Sequence, residues 1–349
     1  MLIDHQTLRG FIAQILTAAG SAAEESEIVA DHLVEANLRG HDSHGVGMIP
    51  SYMKNLHNGT LLPNRRGRAA GENGSIIVYD GERGYGQIVA RAAMALGIER
   101  AKAQGLAAVA LRDAHHIGRV GAYGEQCAAA GLVSLHFVNV IGHEPTVAPH
   151  RGRDGRLSTN PVCIAVPGAE PDRPVVLDMA TSMIAVGKAR VALNEGRRLE
   201  PGLLLDAEGE PTTNPNDLFD EPSGALLPMA AHKGYALSFL CELLAGAVAG
   251  GGTLRPENQA QDTITNCMLS FLLDPACIVD RGWLAAEIAA ITDYVTASPP
   301  RSPGEPVLIP GDPERASRAK RLAEGVPIDG NTWDQIAAAA KHFGVTPPA

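Results

Sequence analysis

The sequence predicts an α/β fold, and three features of the 349-residue chain point to it. Hydrophobic residues make up 45% of the chain and aromatic residues only 4%, which is typical of a globular enzyme rich in small side chains. Short strand-like apolar runs alternate with helical patterns through the middle of the chain, and helical patterns occupy both ends. Some strand-like runs lie close enough in sequence to pair antiparallel.

Helices are predicted first at the amino-terminal end. Thr7 is placed to cap the first helix, and Ser21 with Glu24 forms a capping-box pattern for the second. A polar, glycine-containing segment over residues 41–47 separates the second helix from the third. The three helices are predicted over residues 8–19, 22–38 and 50–58.

The middle of the chain then alternates between strands and helices. Strands are predicted over residues 75–79, 107–111, 133–138, 162–166 and 175–178. Helices are predicted over residues 87–104, 120–130 and 233–246. The segment 297–306, rich in Pro and Ser, is predicted to be a surface connection, and two more helices are expected within 310–325 and 332–343.

Charge and composition exclude several classes of protein. The formal net charge is -10, and no basic stripe is present, so we expect no nucleic-acid partner. The amino terminus lacks a secretory pattern and no apolar run is long enough to span a bilayer, so we expect no membrane partner. The five cysteines form no CxxC pair, which favours reduced thiols and a cytoplasmic location. No Cys/His spacing indicates a metal site.

The usual dinucleotide fingerprint, G-x-G-x-x-G between a strand and a helix, is absent. The nearest pattern is Gly118, Gly121 and Gly124, which follows a predicted strand and opens a predicted helix. Free amides at a helix N-terminus attract anions, so this turn could hold a phosphate. Tight packing at a strand-to-helix turn would need the same glycines, and the two interpretations stay open.

Three polar clusters are candidates for chemistry. The segment 39–45, which reads Arg-Gly-His-Asp-Ser-His-Gly, offers a proton-exchanging histidine beside a hydroxyl, or alternatively only a helix-ending loop. Asp113, His115 and His116 end a predicted strand, where ligands bind in α/β sheets, although they could simply cap the next helix. His232 with Lys233 begins a long apolar helix, where a cation and free amides suit an anionic ligand, although Lys233 could simply be a surface lysine.

Read together, these segments resemble the malate/L-lactate dehydrogenase family. The resemblance spans about residues 5–345 and rests on motifs in the same order. They are Arg39–Gly45, Pro50–Tyr52, His116–Gly118, Thr159–Pro161, Leu177–Ser182, Gly187–Lys188, Pro211–Thr213, Lys233–Tyr235 and Pro310–Gly311.

The resemblance implies a fold unrelated to the Rossmann type. The family's fold is a three-layer α/β/α arrangement around a mixed seven-stranded sheet, of the kind found in sulfolactate dehydrogenases. We expect residues 71–299 to form this dinucleotide-binding domain. Residues 1–70 and 300–349 are expected to form a helical domain that carries Ser43 and His44. Family members are typically homodimers.

The implied activity is reversible hydride transfer between NAD(P)H and a 2-oxo acid, which yields a 2-hydroxy acid. Ser43 matches the family's relay hydroxyl and His44 its proton donor. His116 matches the residue assigned as catalytic base in the branch that acts on ureidoglycolate, so both histidines stay candidates for proton transfer. The residues expected to contact NAD or NADP are His116, Ile117, Gly118, Arg119, Val120, Asp178, Met179, Ala180, His232, Lys233, Gly311 and Arg315.

Substrate contacts are expected from Met48, Tyr52, Arg119 and Thr159. Two of these depart from the family. Many relatives have Arg where Met48 stands, and that Arg holds a substrate carboxylate; many have a small residue where Arg119 stands. Arg119 could supply the missing carboxylate clamp, or it could contact only cofactor phosphate or solvent. With the clamp moved, the pocket at Met48 would favour apolar or aromatic side chains.

The sequence therefore predicts an NAD(P)-dependent 2-hydroxycarboxylate dehydrogenase acting on 2-oxo monocarboxylic acids. One alternative is an NADPH-dependent reductase of cyclic imines such as piperideine-2-carboxylate. Another is a non-catalytic dinucleotide-binding protein, which the intact Ser43, His44 and Lys233 disfavour.

Overall fold

A computed structural model describes residues 1–259 and 262–348 of the chain and confirms the α/β fold. Its helices, labelled α1 to α10, are His5–Ala18, Ala23–Leu38, Ile49–His57, Gly86–Gln104, Gly121–Ala129, Val186–Asn194, His232–Cys241, Arg281–Thr296, Asp312–Glu324 and Gly330–His342. A π-helix, Glu242–Val248, continues α7.

The central sheet has seven strands. Labelled β1 to β7 in chain order, they are Arg68–Asn73, Ile76–Asp80, Leu106–His115, Val133–Ile141, Val162–Val166, Val175–Met179 and Thr265–Leu273. Their order across the sheet is β1-β2-β3-β7-β4-β5-β6. Only β2 and β3 among these neighbours pair in parallel, and the other pairs are antiparallel, so the predicted mixed sheet is confirmed.

Helices cover both faces of this sheet, which gives the three layers. Alternate side chains of a strand point to opposite faces. Thus Val109 and Leu111 of β3 join the large core beneath α4 and α5. Ala110, between them, packs with Leu269 and Ala249 at the π-helix on the other face. The site described below lies where β3 and β6 end.

A second core lies among the terminal helices. It joins side chains of α1, α2 and α3 to Tyr85 and Ile88 near the start of α4, and to Ile336 and Ala340 of α10. The two ends of the chain are also tied by a short antiparallel pair between residues 2–3 and 326–327. This separate core supports the predicted division of the chain, which remains a prediction.

The helix caps differ from the prediction. Asp4, rather than Thr7, caps α1 by accepting the amide hydrogens of Gln6 and Thr7. The predicted capping box is wrong: Ala22 is the N-cap of α2, and Glu24 instead pairs with Arg66. An acidic side chain can satisfy either a helix end or a distant arginine, and sequence spacing alone does not decide between them.

Of the labelled helices and strands, sequence reasoning missed four: β1, β7, α6 and α8. The strand β7 is the largest omission, because it lies in the middle of the sheet and pairs with both β3 and β4. The predicted helix over 233–246 begins one residue earlier and changes to π-helix at Glu242. Within the described residues, no helix combines the length and hydropathy that a membrane crossing requires.

Candidate active site

A one-turn helix, Asp42–His44, carries Ser43 and His44 and is held from two sides. Arg321 of α9 binds the Asp42 carboxylate with two nitrogens, at 2.6 and 3.0 Å. Asn37, in the last turn of α2, donates its amide to Asp42 at 2.6 Å and accepts the amide hydrogen of Val46 at 2.9 Å. A Cβ at Gly45 would overlap the Asn37 amide, so glycine is required for this approach. The turn is therefore fixed rather than a loose connection.

The turn places His44 against His116, which lies 72 positions later at the end of β3. Their rings stack with centroids 5.3 Å apart, and Nδ1 of His44 lies 3.1 Å from Nε2 of His116. On its other side, Nδ1 of His116 lies 2.7 Å from the hydroxyl of Tyr52. Both ring nitrogens of His116 are thus engaged, whereas Nε2 of His44 has no partner among the groups that the structure describes. The predicted Ser43–His44 and His116 clusters meet in space.

The loop after His116 is shaped by side chains from other elements. Asn266 of β7 accepts the amide hydrogen of Ile117 at 3.0 Å. His32 of α2 accepts the amide hydrogen of Arg119 at 3.1 Å through Nε2. A Cβ at Gly118, whose φ is +72°, would overlap the His32 ring, so the backbone conformation and the space both require glycine. The loop is consequently rigid at the point where β3 passes to α5.

Burial dominates the protonation of the histidines. It lowers the pKa of His44 to about 4, against the attraction of the Asp178 carboxylate, which raises that pKa. It also holds the pKa of His116 well below 6.5, with further lowering from a charged His44. The pair is neutral at pH 7 in the protein alone. An anion bound beside it would favour its protonated form.

Two further buried histidines make stability depend on pH. Burial lowers the pKa of His115 and of His136 to about 3, below the 6.5 of the unfolded chain. Their contribution is fully present above pH 6.5 and is lost as the pH falls toward 3, because the unfolded chain then binds more protons. Between pH 7.5 and 5.5 we expect each to cost roughly 1 kcal/mol of stability. Reversible unfolding at both pH values measures this.

A control variant isolates one of these histidines. His136 lies in β4 between the hydroxyls of Ser134 and Ser270, at 2.9 and 2.8 Å, away from the His44–His116 pair. His136→Asn removes one titrating group, so the loss of stability between the two pH values should be smaller by that same amount. An unchanged loss would contradict the assignment to His136.

Charged side chains surround the other end of the 116–120 loop. Arg119 is only 2% exposed and donates to Glu125 of α5 at 2.6 Å. Glu125 also pairs with Arg39 at 3.0 Å. Asp178, at the end of β6, accepts the amide hydrogen of Gly121 at 2.7 Å. Burial acts to lower the pKa of Arg119, but Glu125 and, to a smaller extent, Asp178 raise it above its ordinary value. The cluster joins α2, α5 and β6 beside His44.

A cavity of about 490 Å³ opens from this cluster toward α9. Four residues predicted to contact a dinucleotide line it, namely Arg119, Asp178, Gly311 and Arg315. Arg39 and Arg318 add two more cations. A second cavity of about 250 Å³, between α2, α4 and α5, shares Arg39, Arg119 and Glu125 with the first. The space therefore continues on both sides of Arg119.

The arginine-rich wall suits phosphate. Arg315 donates to the carbonyl of Pro174 at 2.9 Å and to Asp312 at 2.6 Å, while its buried Nε has no partner in the described chain. Gly311 adopts a φ of +96°, and a Cβ there would lie 2.8 Å from the Arg315 guanidinium. A buried donor without a partner, beside cationic side chains, is what a phosphate-binding wall offers to its ligand.

Of the other residues predicted to contact substrate or cofactor, three lie near the end of β6 and two lie among the amino-terminal helices. Met179, Ala180 and Thr159 are half-buried near the end of β6, and the carbonyl of Thr159 accepts hydrogen bonds from Thr181. Met48 is half-buried and packs against the core of the amino-terminal helices. Tyr52, expected at the substrate, is fully buried behind His116.

His232 and Lys233 lie at the start of α7, outside both cavities, and both side chains are exposed. The turn before them is strained, because Ala230 and Ala231 have φ values of +45° and +53°. A Cβ at Gly234 would overlap the carbonyl of Met229, so this turn also depends on a glycine. Backbone strain of this kind is usually retained at functional segments.

Several residues that build the site gave no sequence signal. His32 and Gln87 lie inside helices whose patterns indicate only packing, and Asn266 lies in the strand that was missed. Only the pairing of distant segments shows what they do. Over residues 1–259 and 262–348, no cluster of three or more His, Cys, Asp or Glu side chains is arranged to hold a metal ion.

The chain is similar to known proteins over nearly its whole length. A family model described as malate/L-lactate dehydrogenase matches residues 3–337. Hydroxycarboxylate dehydrogenase B of Escherichia coli K12 is 46% identical over 344 residues, which cover 98% of this chain and 94% of that protein. The runs SHGVGMIPSY and HHIGRVG of this chain favour a likeness to hydroxycarboxylate dehydrogenase B within the family, and this match confirms it. An L-lactate dehydrogenase of Cupriavidus necator is 40% identical over 348 residues, 100% of this chain and 99% of that protein.

Solved structures agree with the fold. A proposed malate/lactate dehydrogenase from E. coli superposes with a TM-score of 0.94 at 45% identity, over 99% of this chain and 96% of that chain. The delta1-piperideine-2-carboxylate reductase of Pseudomonas syringae superposes with a TM-score of 0.83 at 28% identity, over 97% of this chain and 100% of that one.

Proposed function

Because the chain belongs to the malate/L-lactate dehydrogenase family, we propose that it reversibly reduces 2-oxo monocarboxylic acids to 2-hydroxy acids with NAD or NADP. The observation that carries the proposal is the His44–His116 pair, 3.1 Å apart and next to the charged cluster of Arg119 and Asp178. A carbonyl reduction needs one proton donor beside a site for hydride transfer. The pair and the neighbouring cavity can supply these two parts.

His44 is the proposed proton donor. Its Nε2 makes no hydrogen bond to the described protein groups, whereas both nitrogens of His116 are occupied. The substrate carboxylate brings a negative charge beside the pair and thereby favours its protonated form. In reduction, the proton leaves Nε2 of His44 for the carbonyl oxygen. In oxidation, the same nitrogen accepts the hydroxyl proton, and His116 orients the ring.

Ser43 orients the substrate oxygen or relays its proton. A Cβ at Gly187, near the start of α6, would lie 2.5 Å from the Cβ of Ser43, so the glycine lets α6 support this residue closely. The hydroxyl stays on the same turn as His44 and shares its fixed position. Thr159 is proposed as a further substrate contact.

The residues around the larger cavity fit a nicotinamide dinucleotide. The dinucleotide supplies or takes up the hydride when bound. Arg315 and the Gly311 turn would hold phosphate, and Asp178 with Met179 and Ala180 would lie near ribose. The 116–120 loop would border the reacting end, and His232 with Lys233 would add contacts from α7. The unpartnered Nε of Arg315 supports this assignment.

The proposed substrates carry an apolar or aromatic side chain. Met48 packs with the amino-terminal helices, and its side chain offers only a thioether and apolar surface. A second carboxylate on the substrate would gain no ion pair from this position.

A cytoplasmic location is also proposed. The free cysteines, four of them buried, support it.

A panel of substrates tests the activity. Oxidation of NADH and NADPH should be measured with pyruvate, phenylpyruvate, oxaloacetate and a cyclic imine carboxylate. We expect the apolar 2-oxo acids to be reduced fastest. Cyclic imine reduction is the second candidate, favoured by the superposition with the piperideine-2-carboxylate reductase. Activity with the imine alone would replace the proposal by that candidate, and no activity with any compound would contradict both.

A homodimer is proposed from an exposed apolar surface. Phe239 and Leu240 of α7 are 46% and 50% exposed, and α8 has no buried residue at all. Trp283 and Tyr294 of α8 are 57% and 79% exposed. A monomeric protein rarely leaves this much apolar surface in water. The family's usual dimer would cover it.

Light scattering after size exclusion measures the assembly. The unmodified chain should have twice its monomer mass, and Leu240→Asp should shift the mass toward the monomer. Lys102→Glu, which reverses an exposed charge at the end of α4, serves as the control and should leave the mass unchanged. A monomeric wild type would contradict the dimer.

A further inference from the structure

A continuous chain of hydrogen bonds runs from His44 into the interior. Nδ1 of His44 contacts Nε2 of His116 at 3.1 Å, and Nδ1 of His116 contacts the Tyr52 hydroxyl at 2.7 Å. Nε2 of Gln87 contacts the same hydroxyl at 2.7 Å. Tyr52 lies on α3 and Gln87 on α4, and both are buried, with 0% and 1% exposure. The chain of hydrogen bonds that starts at His44 therefore ends at Tyr52 and Gln87, neither of which has an atom that takes part in the reaction.

The direction of hydrogen donation along this chain is set at its inner end. As placed, the Gln87 amide nitrogen donates to Tyr52. The Tyr52 hydrogen then goes to Nδ1 of His116, whose own hydrogen sits on Nε2 and goes to Nδ1 of His44. Each neutral ring carries one hydrogen. This is the neutral arrangement of the pair.

The opposite direction is needed when the pair holds the transferable proton. One hydrogen then lies between Nδ1 of His44 and Nε2 of His116, a second stays on Nε2 of His44, and a third occupies Nδ1 of His116. This last hydrogen must go to the Tyr52 oxygen, so the Tyr52 hydrogen needs another acceptor. The oxygen Oε1 of Gln87 is buried and has no partner in the described chain. Rotation of the amide by half a turn exchanges its nitrogen and oxygen and brings that acceptor to Tyr52.

We propose that Tyr52 and Gln87 are positioning residues that let the His44–His116 pair hold its proton, with the Tyr52 oxygen accepting from His116 and the Gln87 oxygen accepting from Tyr52. The inference rests on the proposed function, since it explains how a buried pair serves as acid and base. When His44 gives its Nε2 proton to the substrate, the other hydrogens stay where they are. Proton return at Nε2 restores the charged pair.

Other charged and titratable groups act on the pair from the elements around it. They are His32 of α2, His41 before the turn, His115 of β3, Arg119 of the loop and Asp178 of β6. Of these, Asp178 favours the protonated form of His44, and His41 and Arg119 disfavour it. None of them contacts Nδ1 of His116, which is bonded to Tyr52. The effect of Tyr52 and Gln87 can therefore be separated by substitution.

The test uses three variants with opposite expected signs. Tyr52→Phe and Gln87→Met each remove an acceptor from the chain, whereas Gln87→Glu replaces the amide oxygen by a stronger one. Reduction needs the protonated pair, so its kcat/KM falls as the pH rises through the pair's ionisation. We expect this fall to move to lower pH by about one unit or more in the first two variants and to higher pH in Gln87→Glu. A residue that only fills space would lower the rate without moving the pH profile in two directions.

A second measurement does not depend on catalysis. Titration of ¹⁵N-histidine signals in the ligand-free protein, assigned by comparison with His44→Gln, reports the pair directly. The same two directions of shift are expected there. Unshifted ionisation in all three variants would overturn the inference, even if their activity fell. The expected shifts in a protein that reduces no 2-oxo acid would instead keep the hydrogen-bond chain and reject the proposed function.

Discussion

His44→Gln is expected to lower the turnover of 2-oxo acid reduction by roughly 10²-fold or more while dinucleotide binding stays close to normal. Glutamine keeps a polar group of similar reach, but it cannot give up or take a proton near neutral pH. His44 does not line the cavity beneath α9, so cofactor contacts should survive. Single-turnover reduction and a dinucleotide titration by tryptophan fluorescence measure the two effects separately.

His116→Gln is the matched comparison. Its Nδ1 and Nε2 already bond to Tyr52 and His44, so its loss should disturb the orientation and ionisation of His44 and lower turnover to a smaller extent. The opposite pattern, near-normal turnover in His44→Gln with an inactive His116→Gln, would exchange the two roles. Either histidine satisfies the sequence motif, and the free nitrogen of His44 is what separates them.

Sequence patterns predicted the helices at both ends, which show helical periodicity, and five of the seven strands, which are short apolar runs. The strand β7 was missed for a physical reason. Its residues from Cys267 to Leu273 are apolar except for Ser270, since the strand lies between β3 and β4 and is covered on both faces. Without alternation, such a run does not distinguish a central strand from a buried helix. The exposed edge strand β1 fails in the opposite way, because none of its residues is buried.

The residues proposed to carry out the chemistry were easier to predict than the residues that hold them in place. Ser43, His44 and His116 stand in short polar motifs, and the structure brings the motifs together. Gln87 and His32 act through partners 35 and 87 positions away, and no local pattern marks such pairs. Tyr52 was expected at the substrate from its motif, whereas the structure buries its hydroxyl between His116 and Gln87. The type of a residue and its place in a motif indicate that it belongs to the site, but only the packing of the folded chain shows which neighbour its side chain contacts.

Arg119 is where the substrate and cofactor interpretations separate. Its guanidinium is buried and bonded to Glu125 at 2.6 Å, and Glu125 is shared with Arg39. It also borders the cavity that reaches Gly311 and Arg315. The ion pair with Glu125 weakens Arg119 equally as a partner for a carboxylate and for a phosphate. Its place on the wall of the cavity that Gly311 and Arg315 also line therefore decides, and we propose a cofactor role for Arg119 over the carboxylate clamp.

Arg119→Ala is accordingly expected to raise the dinucleotide dissociation constant at least about tenfold, which corresponds to 1.4 kcal/mol, while the KM of the oxo acid changes less. It should also lower stability by roughly 1.5 to 3 kcal/mol, because Glu125 loses one of its two arginine partners and keeps Arg39. Arg119→Lys is the matched control: it keeps the charge but not the forked donor, so it should recover the stability better than the affinity. Met48→Arg tests the proposed preference for substrates with apolar side chains. It adds a cation four residues after His44, and it should raise activity with oxaloacetate relative to phenylpyruvate. If Arg119→Ala raises only the KM of the oxo acid, the clamp lies at Arg119 after all, and the phosphate contacts must be supplied by α9 alone.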